Sequence, residues 1–248
     1  MALNKILVLI PARYDSTRFP GKPLANILGK PMVQWVYERI SQSEYYDIEV
    51  EVFVVTDNKK IKDVVHGFGG NVCLVTDETE SGTERISLAV ERFFSNKNYD
   101  LVINVQGDEP LIKSSIIEQL ANYHLQSKFD IATVVRADID VGENPNVVKA
   151  IYSKSSGRCL YFSRAEIPYD RQSLRENFYA HVGIYSFRFP ALKSFCQFPV
   201  SEYERIESLE QLRALENGLT IGAIEVNERL QGVDTPEDIA KVEEQLNE

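Results

Sequence analysis

The feature that most constrains the fold is the alternation of short apolar runs with helical segments over residues 1–135. Residues 5–10 and 100–105 are apolar, partly β-branched and followed by loops that contain proline or glycine. Such runs are typical of strands that are buried on both faces. Residues 31–40 carry apolar side chains at the spacing of one helix face. Strands that alternate with helices predict a doubly wound, mostly parallel sheet of the α/β class.

The alternation stops after Arg136. Three strand-like segments follow with only loops between them, at residues 147–153, 159–163 and 180–188. Because parallel neighbours need a long crossover connection, these segments predict an antiparallel extension or lobe. Apolar spacing over residues 202–216 then predicts a single helix.

The domain organisation follows from size and from the lack of breaks in the pattern. A chain of 248 residues with 44% hydrophobic residues can bury one large core. No repeat, low-complexity tract or flexible linker divides it. The sequence therefore predicts one domain over residues 1–248, with a smaller mixed α/β lobe embedded at approximately residues 137–200.

Composition limits the possible partners. The 27 basic and 37 acidic residues give a net charge of −10, which argues against binding to nucleic acid or to an anionic membrane. No run of 18 apolar residues and no signal-peptide pattern is present, so we expect a cytoplasmic protein without membrane insertion. Cys73, Cys159 and Cys196 are far apart and lack a CxxC pattern, so neither disulfides nor zinc are expected.

The loop after the first predicted strand, PARYDSTRFPGKPL, concentrates positive charge in an acidic protein. Arg13, Arg18 and Lys22 lie within ten residues, and Ser16 adds a hydroxyl group. The loop has neither the dinucleotide-binding glycine pattern nor a P-loop. Two interpretations remain open: a solvated surface loop, or a site that binds phosphates through charge and backbone N–H groups.

Two acidic residues are candidate metal ligands. Asp108 follows a predicted buried strand within QGDEP, and ligands of parallel sheets bind beyond the carboxyl ends of strands. Mg²⁺ is usually held by one or two carboxylates plus substrate phosphates. However, DEP is also ordinary turn chemistry, so both interpretations of Asp108 are open. Asp234, in GVDTPED, would supply a second carboxylate only if the fold returns it to Asp108. Otherwise the negative charge of Asp234 would simply interact favourably with the dipole of the helix that follows it.

The three histidines differ in how well they fit a functional role. His66 and His124 are predicted to lie on helix surfaces, and we expect no functional role for them. His181, in the strand-like AHVGIY, is a better candidate for a polar contact with a substrate, although a buried structural histidine fits the pattern equally well. No catalytic-triad, HExxH or kinase pattern is present.

Seven blocks spread over nearly the full length resemble one family. The blocks are PARYDSTRFPGKPL, SGTERI, NVQGDEPLI, LYFSRAEIPYDR, HVGIY, ESLEQLR and GVDTPED. In this order they resemble the 3-deoxy-D-manno-octulosonate cytidylyltransferases, also called CMP-KDO synthetases. The first block is shared more loosely with other sugar nucleotidyltransferases, so it is the whole series that makes the resemblance specific.

The resemblance implies an enzyme that joins CTP and KDO to give CMP-KDO and pyrophosphate, with Mg²⁺, for lipopolysaccharide or capsule synthesis. It implies a doubly wound nucleotide-binding fold with a smaller mixed lobe that also forms a homodimer. The implied mechanism is a direct displacement at the α-phosphorus of CTP by the anomeric hydroxyl of KDO, without a covalent enzyme intermediate.

The resemblance also implies roles for individual residues. The residues it implies for CTP are Arg13, Ser16, Arg18, Lys22, Ser81, Gly82, Thr83, Arg85 and Gln106. The residues it implies for the sugar acid are Arg164, His181, Tyr185, Glu210 and Gln211. The implied metal ligands are Asp108 and Asp234, which would act in catalysis together with Arg13 and Lys22.

One position departs from the family pattern. Many members have a histidine two residues before SGT, whereas this chain has Thr79. The departure keeps open a related substrate, the 8-amino-8-deoxy form of KDO, and less readily a sialic acid. A nucleotide-binding regulatory protein without turnover is the non-enzymatic alternative. The PYDR and HVGIY blocks favour KDO itself.

Overall fold

The computed structural model describes residues 3–15, 19–79, 81–228 and 230–247. The chain forms two compact units, the first made of residues 1–118 with 230–248 and the second of residues 119–229. The lobe predicted at approximately 137–200 falls within the residues of the second unit. None of the helices in the described residues is long and apolar enough to cross a membrane.

Up to the seventh strand the elements alternate as the sequence predicts, except for two short strands, Asn26–Ile27 and Lys30–Pro31, which pair with each other without a helix between them. The strands are β1 (Asn4–Ala12), β2 (Asn26–Ile27), β3 (Lys30–Pro31), β4 (Ile48–Thr56), β5 (Val72–Leu74), β6 (Leu101–Asn104), β7 (Ile131–Asp138), β8 (Lys149–Ser153), β9 (Arg158–Ser163), β10 (Phe178–Phe187) and β11 (Ile221–Val226). The α-helices are α1 (Met32–Ser41), α2 (Lys59–Gly67), α3 (Gly82–Ala89), α4 (Ser114–Gln126), α5 (Phe189–Gln197), α6 (Glu202–Glu207), α7 (Gln211–Glu216) and α8 (Asp238–Asn247).

The first unit is built on four parallel strands in the order β5–β4–β1–β6. The central strand β1 reads as an unbroken apolar run because both of its faces are covered, and Ile6 to Ile10 have no exposed surface. The helix α1 buries one side, including Met32, Val36 and Ile40, at the predicted spacing. The α/β prediction is confirmed. Because the strands are parallel, their carboxyl ends meet at one edge, where the polar loops begin.

The second unit has a mixed sheet in the order β10–β7–β11–β9–β8. Among the strand pairs of the described residues in this unit, β7 with β11 is parallel, whereas β10 with β7, β11 with β9 and β8 with β9 are antiparallel. The predicted antiparallel extension is therefore confirmed. The pairing of β10 with β7 is interrupted between Val182 and Tyr185 by a bulge.

The prediction of one helix over residues 202–216 was wrong, since the structure contains α6 and α7 with a break between them. Ser208 takes a left-handed conformation, with φ +54°. The carbonyl oxygen of Glu207 accepts a hydrogen bond of 2.8 Å from the side chain of Arg164, instead of bonding within a continuous helix. Apolar spacing cannot reveal this break, because the competing donor lies 43 residues away in the sequence.

Candidate active site

A cavity of about 420 Å³ lies in the first unit at the carboxyl ends of its strands. The loop after β1 is closed by a hydrogen bond of 2.8 Å from the N–H of Gly21 to the carbonyl of Tyr14, and Gly21 has φ +72°. Positive φ is readily adopted by glycine, which lets the chain turn directly into Lys22. Six of the residues predicted for CTP or metal line the cavity: Arg13, Lys22, Gly82, Gln106, Asp108 and Asp234. Two further predicted contacts, Ser16 and Arg18, lie outside the described residues.

Lys22 is the centre of the charged cluster in this cavity. Its Nζ lies 2.5 Å from Asp108 Oδ2, 3.8 Å from Asp234 Oδ1 and 2.9 Å from the carbonyl oxygen of Val233. The N–H of Val233 in turn donates to the carbonyl of Asp108 at 2.9 Å. This backbone bond attaches the segment before α8 to the loop after β6. The fold therefore returns Asp234 to Asp108, which is the condition on which its predicted role depends.

Glu109 is a half-buried acid that the sequence interpretation did not single out. Burial, together with the neighbouring charges of Asp108 and Asp234, raises the pKa of the Glu109 carboxyl to about 8. Its Oε2 has no hydrogen-bond partner among the described residues. A Cβ at Gly232 would lie 3.1 Å from Glu109 Oε1, so the segment around Gly232 packs closely over this carboxyl. The neighbouring carboxylates of Asp108 and Asp234 thus favour the protonated form of Glu109.

The SGT block forms the first turn of α3. Ser81 caps the helix, since its Oγ accepts a hydrogen bond of 3.2 Å from the N–H of Glu84. Gly82 lies against Pro11, whose Cγ would be 3.2 Å from a Cβ at position 82. Thr83 is fully buried and contacts Asn104, with 3.4 Å between Thr83 Oγ1 and Asn104 Nδ2. In this structure Gly82 reaches the cavity, and Thr83 supports the wall from behind.

Arg85 is also behind the wall, with only 3% of its side chain exposed. It donates to the carbonyl oxygen of Val75 at 2.6 Å and forms an ion pair of 3.1 Å with Asp57. Asp57 Oδ1 additionally accepts from the N–H of Tyr14 at 3.5 Å. Burial lowers the pKa of the Arg85 guanidinium, while Asp57 opposes that effect. Asp57 was missed at the sequence level. Its position directly after β4, at the same sheet edge as Asp108, was the available signal.

The residues predicted for the sugar acid lie in the second unit. The rings of His181 and Tyr185 are 5.4 Å apart between centroids. Burial, and next the charge of Glu210, raises the pKa of Tyr185 well above its usual value. Gln211 is buried at the start of α7, and its Nε2 has no hydrogen-bond partner among the described residues. Arg164 donates from Nε to the carbonyl oxygen of Glu207 and from a terminal nitrogen to that of Pro145, at 2.8 and 3.0 Å.

His124 does not lie on a helix surface, so that prediction was wrong. It is fully buried in the second unit, with Nδ1 2.7 Å from Ser186 Oγ and Nε2 3.1 Å from the carbonyl oxygen of Phe129. Burial lowers the pKa of His124 to about 4. The carbonyl can only accept, so Nε2 carries the proton and His124 links α4 to β10.

Comparison with known proteins places these features in a family. The family model for cytidylyltransferases matches residues 7–221. The 3-deoxy-manno-octulosonate cytidylyltransferase of Thermodesulfovibrio yellowstonii is 44% identical over 253 residues, covering 97% of this chain and 98% of that protein. The enzyme of the same name from Photobacterium profundum is 46% identical, with coverages of 95% and 96%. An 8-amino-3,8-dideoxy-manno-octulosonate cytidylyltransferase of a Shewanella species is 44% identical, with coverages of 97% and 98%.

The solved structures agree with the sequence relatives. The structure of CMP:2-keto-3-deoxy-manno-octonic acid synthetase complexed with CTP superposes with a TM-score of 0.90 and 38% identity, covering 98% of this chain and 99% of that one. The 4-diphosphocytidyl-2C-methyl-D-erythritol synthase of Anaerococcus prevotii, at 15% identity and a TM-score of 0.64 over 99% of each chain, shares the fold. On the near-complete match in sequence and in structure, the chain belongs to the CMP-KDO synthetase family of cytidylyltransferases.

Proposed function

We propose that this protein transfers CMP from CTP to KDO and releases pyrophosphate. The observation that carries the proposal is the convergence of Asp108 and Asp234 on Lys22, inside a cavity that Arg13 also lines. A structural loop does not need two carboxylates and two cations in one cavity. The activity for which the near-full-length relatives are named supports the same conclusion.

The cavity suits a polyphosphate. Its lining carries three negative charges, on Asp15, Asp108 and Asp234, and two positive ones, on Lys22 and Arg13. A cation at 4 Å from a phosphate oxygen contributes about 4 kcal/mol near a protein surface, against about 1 kcal/mol in bulk water. The net charge of −10 for the whole chain acts from farther away and is screened beyond about 8 Å. An anionic ligand would therefore contact Lys22 and Arg13, while Mg²⁺ held by Asp108 and Asp234 would offset the acidic charge of the lining.

The pair of carboxylates fits Mg²⁺. Both lie within 3.8 Å of one atom, Lys22 Nζ, so they face a common point. The described residues contain no group of three or more His, Cys, Asp or Glu side chains placed as metal ligands. Mg²⁺ typically takes one or two carboxylates and completes its shell with phosphates and water, so Asp108 and Asp234 suffice. When bound, Mg²⁺ would neutralise phosphate charge and polarise the α-phosphate.

The chain's own residues then act by positioning and charge neutralisation. A bond forms between the anomeric oxygen of KDO and the α-phosphorus, the hydroxyl proton passes to solvent, and the bond from that phosphorus to the β-phosphate oxygen breaks. Lys22 and Arg13 would stabilise the negative charge on the departing pyrophosphate, as cations do in other phosphoryl transfers. Gln106 and the first turn of α3, through Gly82, would line the nucleotide.

The second unit would hold the sugar acid. A guanidinium has five N–H donors, and the described acceptors of Arg164 are the carbonyl oxygens of Glu207, Pro145 and Ser208. Two donors therefore remain for the carboxylate of KDO. His181, Tyr185, Glu210 and Gln211 would contact the hydroxyl groups. We further propose that the protein is a homodimer formed through the lobe, as the family resemblance implies.

The PYDR and HVGIY blocks favour KDO as the substrate. The 8-amino form is the second candidate, for one specific reason. The family histidine before SGT is replaced by Thr79, whose buried Oγ1 has no hydrogen-bond partner among the described residues. The Shewanella relative that is named for the 8-amino sugar is as similar to this chain as one named for KDO.

Pyrophosphate release tests the proposal. The purified protein is incubated with CTP and Mg²⁺ and with KDO, 8-amino-KDO or sialic acid, while reactions without sugar or with UTP serve as controls. Rapid release with KDO is expected, and faster release with 8-amino-KDO would make that sugar the substrate. No release with any of the three acids would favour the regulatory alternative.

A further inference from the structure

The bulge in β10 brings two candidate substrate residues together. Val182 pairs with Val134, but the next paired residue of β10, Tyr185, faces Thr133. Two residues of β10 therefore have no partner on β7. Because the number of inserted residues is even, His181 and Tyr185 stay on the same face of the sheet. Four residues of regular strand would separate them by about 13 Å, whereas two residues correspond to about 7 Å. Their ring centroids lie 5.4 Å apart.

Thr133 lies on β7 opposite this bulge and is fully buried. Its Oγ1 lies 2.7 Å from the carbonyl oxygen of Ile184, 3.3 Å from that of Val182 and 3.0 Å from His181 Nε2. A threonine hydroxyl has one hydrogen to donate. An oxygen–oxygen distance of 2.7 Å to a carbonyl requires a hydrogen between the two atoms, and only the hydroxyl can supply it. The hydrogen of Thr133 is therefore used on Ile184.

The contact between Thr133 and His181 then determines which ring nitrogen of His181 carries the proton. Since the hydroxyl hydrogen points to Ile184, the 3.0 Å contact must be a hydrogen bond from Nε2–H of His181 to Thr133 Oγ1. Burial lowers the pKa of His181 to about 3, so the ring is neutral near pH 7. A neutral imidazole with its proton on Nε2 has an unprotonated Nδ1, which can only accept a hydrogen bond.

We propose that Thr133 is a positioning residue that fixes His181 in the Nε2–H form, so that Nδ1 accepts a hydrogen bond from a hydroxyl group of the sugar acid. The inference rests on the proposed function, which supplies a substrate with several hydroxyl groups. It divides the recognition of the sugar acid between two side chains. Arg164 offers donors to the carboxylate, while His181 offers an acceptor and no charge. The ring contacts Phe162 and Tyr185, with centroids at 4.9 and 5.4 Å, so packing restricts its orientation.

The first test reads the proton directly and needs no substrate. The chain has only three histidines, so ¹⁵N-histidine labelling gives a simple long-range ¹H–¹⁵N NMR spectrum. The signals of His181 are those lost in His181→Asn. At pH 7 we expect a protonated Nε2 and an unprotonated Nδ1 in the wild-type protein and in Thr133→Ser. Thr133→Val removes the acceptor, so a mixture of both tautomers is expected. A protonated Nδ1 in the wild type, or an unchanged pattern in Thr133→Val, would overturn the proposal.

The second test asks whether the tautomer matters to the sugar. Loss of one neutral hydrogen bond corresponds to about a tenfold rise in KM for KDO in Thr133→Val, with KM for CTP unchanged. Thr133→Ser should restore the wild-type value. The control is Thr220→Val, which removes another hydroxyl of the second unit, one that donates to Asp130 at 2.6 Å. Melting curves check that each variant folds.

The two tests separate this inference from the proposed function. If the wild type turns over no ulosonic acid, the function fails while the tautomer result stands alone. If KDO is turned over and Thr133→Val leaves KM for KDO unchanged, the positioning role fails and the function stands. If Thr133→Val does not fold, the wild-type and Thr133→Ser spectra still decide the tautomer, and Thr133→Ser should keep wild-type KM for KDO.

Discussion

The cavity of the first unit and the candidate sugar-acid cluster of the second unit use opposite electrostatics. The first gathers opposite charges that keep contact with solvent: the side chains of Asp108 and Asp234 are 32% and 63% exposed. The second relies on a half-buried His181 and a buried Tyr185 whose charged forms are suppressed, because loss of contact with water lowers the pKa of His181 and raises that of Tyr185. A triphosphate with its metal ion requires neutralised charge, whereas a polyhydroxylated sugar requires directed neutral hydrogen bonds. Each of the following predictions tests this contrast.

Asp108→Asn should have the largest effect. The amide keeps the size of the side chain and loses the negative charge that the metal requires, so kcat should fall on the order of 10³-fold. The measurement is pyrophosphate release, with circular dichroism to show that the fold is kept. Asp100→Asn, an acidic position that accepts from the N–H of Lys5, is the matched control. Near-normal turnover by Asp108→Asn would contradict the proposed role of the Asp108 charge in holding a metal ion.

Acid should act through the buried neutral groups of the second unit. The folded-state pKa of His124 is about 4, below its ordinary value of 6.5, so the unfolded chain binds more protons between these values. The free energy of unfolding therefore falls as pH drops from about 6.5 to 4, by about 3 kcal/mol at most for this residue. Denaturation midpoints across this range should fall less steeply in His124→Asn. The exposed His66, changed to Asn, is the control. Identical slopes in wild type and His124→Asn would contradict the prediction.

Lys22→Ala should affect the nucleotide more than the sugar. Loss of a charge-assisted contact to the phosphates is expected to lower kcat/KM for CTP about 50-fold, with a much smaller change in KM for KDO. Steady-state kinetics with each substrate varied in turn makes the measurement. Lys30→Ala, which removes an ion pair with Glu38 of 2.6 Å, controls for a lost lysine in the same unit. An equal loss of kcat/KM for CTP and for KDO would contradict the assignment of the nucleotide to the first region and the sugar acid to the second.

Asp57→Ala should give the smallest effect, and mainly on stability. It leaves the buried guanidinium of Arg85 without its carboxylate, which costs about 2 kcal/mol of unfolding free energy. Chemical denaturation is the measurement. The control is Asp77→Ala, which breaks the exposed ion pair with Arg92 and should have a smaller effect because solvent screens that pair. Equal losses would mean that Asp57 does not support the cavity wall.

The sequence predicted the first unit more fully than the second. Local signals were sufficient for β1 and α1, because each depends on residues a few positions apart. The charged loop and the QGDEP segment were also visible, since polar residues directly after buried strands stand out. The single helix over residues 202–216 and the surface position of His124 were wrong for a common reason. Their deciding partners, Arg164 and Ser186, are distant in the sequence.

The sequence by itself determined the class of the fold, the family and the chemical types of the candidate residues. The tertiary structure decided which of them meet. It returned Asp234 to Asp108 through a backbone bond at Val233, and it left Arg85 behind the cavity wall with Asp57. It also inserted two residues into β10, so that Thr133 reaches His181. Periodicity records which face of an element is apolar. The direction of a single hydrogen bond depends on the distance between atoms that only folding brings together.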